Sequence, residues 1–299
     1  MTNFDHLLPE IRAVIDEPAS IRLRQMQRSK WFNYAAGEAI LQRMETLLDH
    51  PPTHRMPGLL LLGDSNSGKT SLGLEFISRH PMDPNLEGDA AIVPVLRIEI
   101  PPNPDEARIY DEILAALLQP ARSKDSVSAK AKQVKTVLAT VSTRMLVFDE
   151  FQAVLSTRND RRRLVLEVVK HLSNTLQIPI VAIGTAEAHV AISKDEQLAN
   201  RLHPVWMPMW RLDSEFRRLM AAFQATLPLR EKSPLQDRRV AALILELTEG
   251  LLGEMNLLLC KAVEEAMRSG IERVDEQLLR GLDYVPPSQR RQHRRPAFA

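Results

Sequence analysis

With 299 residues, 44% hydrophobic and 26% charged, the chain has an ordinary globular composition and suits one large domain or two smaller ones. A net charge of +1 excludes bulk charge as an argument for a polyanionic partner, so local clusters must carry that case. One cysteine, Cys260, excludes an intrachain disulfide and a cysteine-based zinc site. No apolar run reaches the ~18 residues of a membrane helix. The acidic start MTNFDHLLPEIRAVIDEP lacks a basic-then-apolar leader pattern, so a cytoplasmic, bilayer-free location is expected. The eight histidines are scattered without ligand spacing, and no structural metal is expected.

Residues 1–52 read as an N-terminal helical extension. A lead-in punctuated by Pro9 and Pro18 precedes a charged helical pattern from Ala19 to about His50, with Ile21, Met26, Trp31, Ala35, Ile40, Met44 and Leu47 on recurring faces. Pro51 and Pro52 end it. The apolar run Leu59–Leu62 then reads as a buried strand feeding Gly63-Asp64-Ser65-Asn66-Ser67-Gly68-Lys69-Thr70, which fits the phosphate-binding pattern G-x-x-x-x-G-K-[ST]. Ser71 onward reads as a helix start. Glycines let backbone N–H groups turn around phosphate oxygens, and the helix N-terminus adds a positive dipole. Lys69 is expected to reach the β- and γ-phosphates of ATP, and the Thr70 hydroxyl to ligate Mg²⁺.

Ala91–Ile100 is rich in β-branched residues and reads as a second strand, irregular at Pro94. A helix over Asp105–Leu118 follows. Residues 120–132 are polar and basic, and a helix resumes at Val134. Met145–Phe148 followed by Asp149 and Glu150 describes a buried parallel strand ending in an acidic pair. Asp149 is placed to hold Mg²⁺, usually through water, and Glu150 to polarise the attacking water. Ile178–Thr185 is another apolar strand, with Thr185 placed at the ligand crevice of a parallel sheet. Val205–Met209 is a fifth strand candidate. From Asp213 onward only helices are expected: 215–225, 235–249, 255–268 and 275–282. The expected organisation is therefore an α/β nucleotide-binding domain over 53–212, a helical domain over 213–283 and a basic flexible tail over 284–299.

The ordered set LLLLGDSNSGKTSL, RMLVFDEFQAVL, IPIVAIGTAEA and QLANRLHPVWMPMW, ahead of a helical C-terminal region, resembles the AAA+ ATPases. Within them the chain resembles the TniB family of transposition ATPases, related to TnsC and more loosely to MuB and IstB. The resemblance implies a P-loop AAA+ doubly wound sheet with an all-helical lid. It implies ATP-dependent binding of double-stranded target DNA as a ring or filament of identical subunits. It also implies recruitment of a TniA-like transposase and a TniQ-like adaptor, in a bacterial cytoplasm.

The resemblance carries roles residue by residue. Arg201, just before the fifth strand, matches the arginine finger, which acts on a neighbouring subunit's nucleotide; a surface arginine at a helix end is the other reading. Arg158 and Arg161–Arg163 read as a solvated or DNA-facing cluster. Trp31 and Tyr34 lie where the family places residues near the adenine, and a packing stripe is the alternative. Arg122, Lys124, Lys130, Lys132 and Lys135 fall in a stretch that faces the pore in such rings and would contact DNA phosphates; a solvated loop is the alternative. The tail arginines Arg290, Arg291, Arg294 and Arg295 offer DNA or transposase contacts. One departure stands out: Gly250–Asn256 contains no arginine where many lids offer one to the nucleotide, so no lid sensor is assigned, and Asn256 is a candidate substitute. Two other functions share the phosphate loop, a small-molecule kinase and a helicase-loader-like ATPase.

Overall fold

The computed structural model describes residues 4–28, 31–122 and 124–292. In chain order these form α1 (Pro9–Arg12), α2 (Ala19–Met26), α3 (Ala35–Leu48), β1 (Gly58–Leu62), α4 (Lys69–Arg79), β2 (Val95–Glu99), α5 (Glu106–Ala116) and α6 (Val127–Thr140). Next come β3 (Met145–Asp149), a 3-10 turn (Phe151–Ser156), α7 (Asn159–Leu176), β4 (Ile180–Gly184), α8 (Ala186–Ser193), α9 (Glu196–Ala199) and β5 (Leu202–Trp206). The C-terminal helices are α10 (Ser214–Thr226), α11 (Arg238–Thr248), α12 (Leu252–Arg268), α13 (Glu276–Gly281) and α14 (Pro287–Gln292).

The described residues divide into two compact units. One comprises residues 36–65 and 69–208; the other comprises 1–35, 66–68 and 209–299. The first holds a five-stranded, wholly parallel sheet of order β2-β3-β4-β1-β5. Every residue of β1, β3 and β4 is buried, which is why these strands read as unbroken apolar runs. Alternate residues Leu60, Leu62, Leu96, Ile98, Leu146 and Phe148 join Ile109, Val134 and Val169 in one core. The strand period of two fixes this face.

β2, β5 and α6 differ from their sequence expectation for local reasons. β2 covers Val95–Glu99 rather than 91–100, because the Pro94 carbonyl accepts the N–H groups of Arg144 and Met145 and the ladder begins only after it. β5 lies three residues earlier than the expected 205–209; it is an edge strand with one buried residue, so its apolar signal is weak, and Pro204 is tolerated there. α6 starts at Val127, capped by the Ser126 hydroxyl accepting from the Ala129 N–H, so Lys130, Lys132 and Lys135 are helical.

The helical unit has its own core of Met26, Phe216, Phe223, Met255, Leu259 and Val263, with Phe32 and Trp210 packed against it. Helices α1 and α2 belong to it, whereas nearly all of α3 belongs to the first unit. Arg22, 5% exposed, donates to the Pro228 carbonyl at 2.9 Å and to Glu272 Oε1 at 2.9 Å. Part of the expected flexible tail is α14; Arg294 and Arg295 lie outside the described residues.

Candidate nucleotide site

β1 delivers the chain to the phosphate loop. The Gly63 N–H donates to the Gly184 carbonyl at 3.2 Å, which aligns the loop with the C-terminal end of β4. Within the loop Asn66 (φ 63°) and Gly68 (φ 97°) both take left-handed conformations. At φ 97° only glycine is comfortable, so Gly68 is required for the turn into α4. Lys69 opens α4 and is 8% exposed; its Nζ donates to the carbonyls of Gly63 (2.8 Å) and Asp64 (2.7 Å). Burial pulls its ammonium pKa down, while the nearby charges of Glu150, Asp149 and Asp64 oppose that shift. Lys69 Nζ thus donates to backbone carbonyls whose place a phosphate oxygen could take. Thr70 and Ser71 follow in the first turn of α4.

β3 brings in the acids. Asp149 is 1% exposed; its Oδ2 accepts from Arg97 Nη2 (2.7 Å) and Nε (3.1 Å), and its Oδ1 accepts from the Glu150 N–H (2.8 Å). A carboxylate offers about four acceptor sites, so roughly one remains open. Glu150 is exposed and left-handed (φ 54°), and accepts a hydrogen bond from Gln152 Nε2. Gln152 Oε1 in turn accepts the Thr185 N–H at 3.2 Å, and the Thr185 hydroxyl donates to Glu187 at 2.8 Å. Because β3, β4 and β1 are adjacent and parallel, their C-terminal ends gather Asp149, Glu150, Thr185 and Gly63 along one rim.

This donor set fits a triphosphate with a divalent cation. Among the described residues no cluster of three or more acidic, histidine or cysteine side chains could cage a metal. Mg²⁺ does not need one: it is commonly held by one or two protein oxygens plus phosphates and waters. Thr70 and the remaining acceptor site of Asp149 suit that mode.

Other predicted residues fall elsewhere. Arg201 precedes β5, and Leu202 pairs with Gly58 at the start of β1, so Arg201 stands at the opposite end of the sheet from the loop. Its Nη1 donates to Asn174 Oδ1 at 2.7 Å. Tyr34, expected near the adenine, is packed among other rings. It is 7% exposed, with its ring 5.6 Å from Trp31 and 5.1 Å from Trp210, and burial raises its pKa to about 12. It packs within the helical unit. Lys130 is likewise buried, 5% exposed and paired with Asp111 at 2.7 Å, because the α6 register turns it inward. Arg122, Lys124 and Lys132 are exposed and Lys135 is half-buried.

Sequence reading did not point to Arg97 and Gln152, which hydrogen-bond Asp149 and Glu150, or to Glu254, which accepts from Asn66. The diagonal Arg97–Asp149 contact follows from a register, Arg97 opposite Val147, that no single strand reveals. Gln152 had a signal in the Asp-Glu-Phe-Gln run. Glu254 had one in the arginine-free start of α12.

The sheet order, the loop between β1 and α4 and the helical C-terminal region define a P-loop AAA+ fold. In fold the chain is similar to the Aeropyrum pernix ORC2 protein in ADPNP–ADP complexes, at 17% identity and TM-score 0.62 over 86% of this chain and 69% of that one. It is also similar to Cdc6p from Pyrobaculum aerophilum (18%, TM-score 0.61, 84% and 67%) and to Drosophila ORC bound to DNA (13%, 0.58, 88% and 64%). A profile described as Bacterial TniB protein matches residues 22–212, and the chain belongs to that family. No curated protein is detectably similar to it in sequence. No helix among the described residues is long and apolar enough to cross a membrane.

Proposed function

We propose that the chain is an ATP-hydrolysing, DNA-binding regulator of transposition that acts as an oligomer and recruits a DDE transposase of the TniA type, with a TniQ-like adaptor as a further partner. The observation that carries the nucleotide part is the buried Lys69 in the field of Asp149 and Glu150 at the C-terminal rim of the sheet. Membership of the TniB family supports the transposition part. The fold shared with Drosophila ORC bound to DNA supports the DNA part.

In this reading the loop N–H groups and Lys69 hold the phosphates, and Thr70 and Asp149 hold Mg²⁺. Bound there, the cation would neutralise charge on the β- and γ-phosphates. Glu150 leaves Gln152 to accept a proton from the attacking water, and Thr185 orients that water or the γ-phosphate. Arg201, on the far end of the sheet from its own loop, serves a neighbouring subunit, which makes turnover depend on assembly. Arg122, Lys124, Lys132 and Lys135 contact DNA phosphates.

The test is DNA retention with ATP, with ADP and without nucleotide, beside Lys69→Ala. ATP-dependent retention lost in Lys69→Ala is expected; retention indifferent to both overturns the reading. Arg201→Ala is expected to lose turnover and to regain part of it when mixed with Lys69→Ala subunits. Phosphate release without any phosphorylated acceptor separates this function from a kinase.

A further inference from the structure

Glu254 sits in the first turn of α12 and is 2% exposed. All its acceptor capacity is used. Oε1 accepts from Asn66 Nδ2 (2.8 Å) and Arg290 Nη1 (3.0 Å); Oε2 accepts from Tyr284 Oη (2.5 Å) and Arg290 Nη2 (2.5 Å). Residues 66–68 belong to the same compact unit as α12, Tyr284 and α14. The backbone joins the same way: the Gly253 N–H donates to the Asn66 carbonyl at 2.8 Å. A Cβ at position 253 would lie 3.0 Å from that oxygen, a tight contact that glycine avoids. Asn66 is thus gripped by both its backbone and its side chain, at a residue whose left-handed conformation shapes the phosphate loop.

Burying a carboxylate is costly unless it is paired. Here the bidentate guanidinium of Arg290 supplies the pairing, and the cation also lies 5.1 Å from the Tyr284 ring centroid. Burial pushes the Glu254 pKa up, but the hydrogen bonds from Arg290, Tyr284 and Asn66 outweigh it and hold the group below the usual carboxylate range. Without Arg290 the carboxylate would have to take a proton or swing toward water, and in either case the grip on Asn66 weakens. The same start of α12 is the arginine-free stretch of the sequence. Its arginine comes from the C-terminal segment, and it acts through a carboxylate.

We propose that Glu254 is a positioning residue for the phosphate loop and that Arg290 is the counter-charge that holds it in place, so that the segment Tyr284–Arg290 sets nucleotide affinity. This rests on the reading that Gly63–Thr70 binds nucleotide phosphates. A partner or modification that drew α14 away would then lower that affinity without touching the nucleotide.

The experiment is titration of the full chain with a fluorescent ATP analogue, with the melting temperature of the nucleotide-free protein measured in parallel. Arg290→Ala and Glu254→Ala are each expected to weaken binding about tenfold, the scale of one lost charge-assisted hydrogen bond. The double variant is expected to weaken it no further, and kcat at saturating ATP is expected to stay near wild type while KM rises. Single variants that lower the melting temperature but leave affinity within twofold of wild type overturn the proposal. If Arg290→Ala does not fold, Glu254→Gln keeps the shape while removing the charge. It is expected to weaken binding at least threefold, and wild-type affinity there also overturns the proposal. Wild-type protein that binds the analogue no better than Lys69→Ala instead overturns the reading of the phosphate loop.

Discussion

The rim of the sheet and the start of α12 both carry buried acids, and they hold them differently. Asp149 keeps about one acceptor site open, and exposed Glu150 is held by a neutral amide that can be exchanged. Glu254, like Asp149, faces a guanidinium, but every one of its acceptor sites is filled. An acid with spare capacity beside a buried lysine is available for chemistry; a saturated one is available only to hold geometry. The residue type does not distinguish them, but the count of unfilled sites does.

The largest expected effect falls on the unsaturated side. Glu150→Gln is expected to cut ATP turnover by about a hundredfold or more while nucleotide and DNA binding persist, since the amide keeps the hydrogen-bonding shape but not the proton acceptor. Phosphate release measures it. Turnover within a factor of a few of wild type would place Glu150 with the structural acids and break the comparison.

Aromatic Tyr34 belongs to the saturated side by the same reasoning, since both neighbouring rings pack on it. Tyr34→Ala is expected to cost about 3 kcal/mol of stability, in the range of large buried truncations, with no separate loss of nucleotide affinity in the folded fraction. Denaturant unfolding and analogue titration together check this. A lost affinity without lost stability would return Tyr34 to the adenine.

These assignments show where the sequence is readable. Leu59–Leu62 and Met145–Asp149 lie in strands buried on both faces, so they print as apolar runs, and the motifs at their ends can be found by spacing. β5 is covered on one edge only, and its pattern is too thin to set its start. Lys69, Asp149 and Glu150 can be proposed from sequence because each lies in a local motif. Arg97 and Glu254 cannot. Each acts on a residue far along the chain, through a register or a helix docking that no window of sequence contains. An aromatic ahead of the loop, such as Tyr34, looks the same in sequence whether it meets a base or Trp210.

Acid exposure gives a smaller effect with a fixed sign. The Glu254 pKa is lowered in the folded protein, so its contribution to stability is fully present above the ordinary carboxylate value of about 4.3 and is lost as pH falls through the lower folded value. The stability difference between wild type and Glu254→Gln is therefore expected to be constant from neutral pH to about pH 5 and to shrink below that. Unfolding at a series of pH values reads it. A difference that grew on acidification would mean that Glu254 is protonated in the fold and that its saturation is not electrostatic.

The smallest effect applies the same distinction to lysines. Lys130 and Lys132 are two residues apart on α6, but Lys130 is buried against Asp111 while Lys132 is exposed. A phosphate contact releases counter-ions, lowering the slope of log affinity against log salt by about 0.9 for each phosphate engaged on duplex DNA. Lys132→Ala is expected to remove about one such unit and to weaken binding equally on any duplex sequence. Lys130→Ala is expected to leave the slope unchanged and to lower stability instead, because it strands Asp111, whose Oδ1 already has no hydrogen-bond partner. Equal salt slopes for Lys132→Ala and wild type would remove α6 from the DNA surface. A slope change in Lys130→Ala would show that its ion pair opens on DNA, and that a filled partner does not by itself withdraw a charge from function.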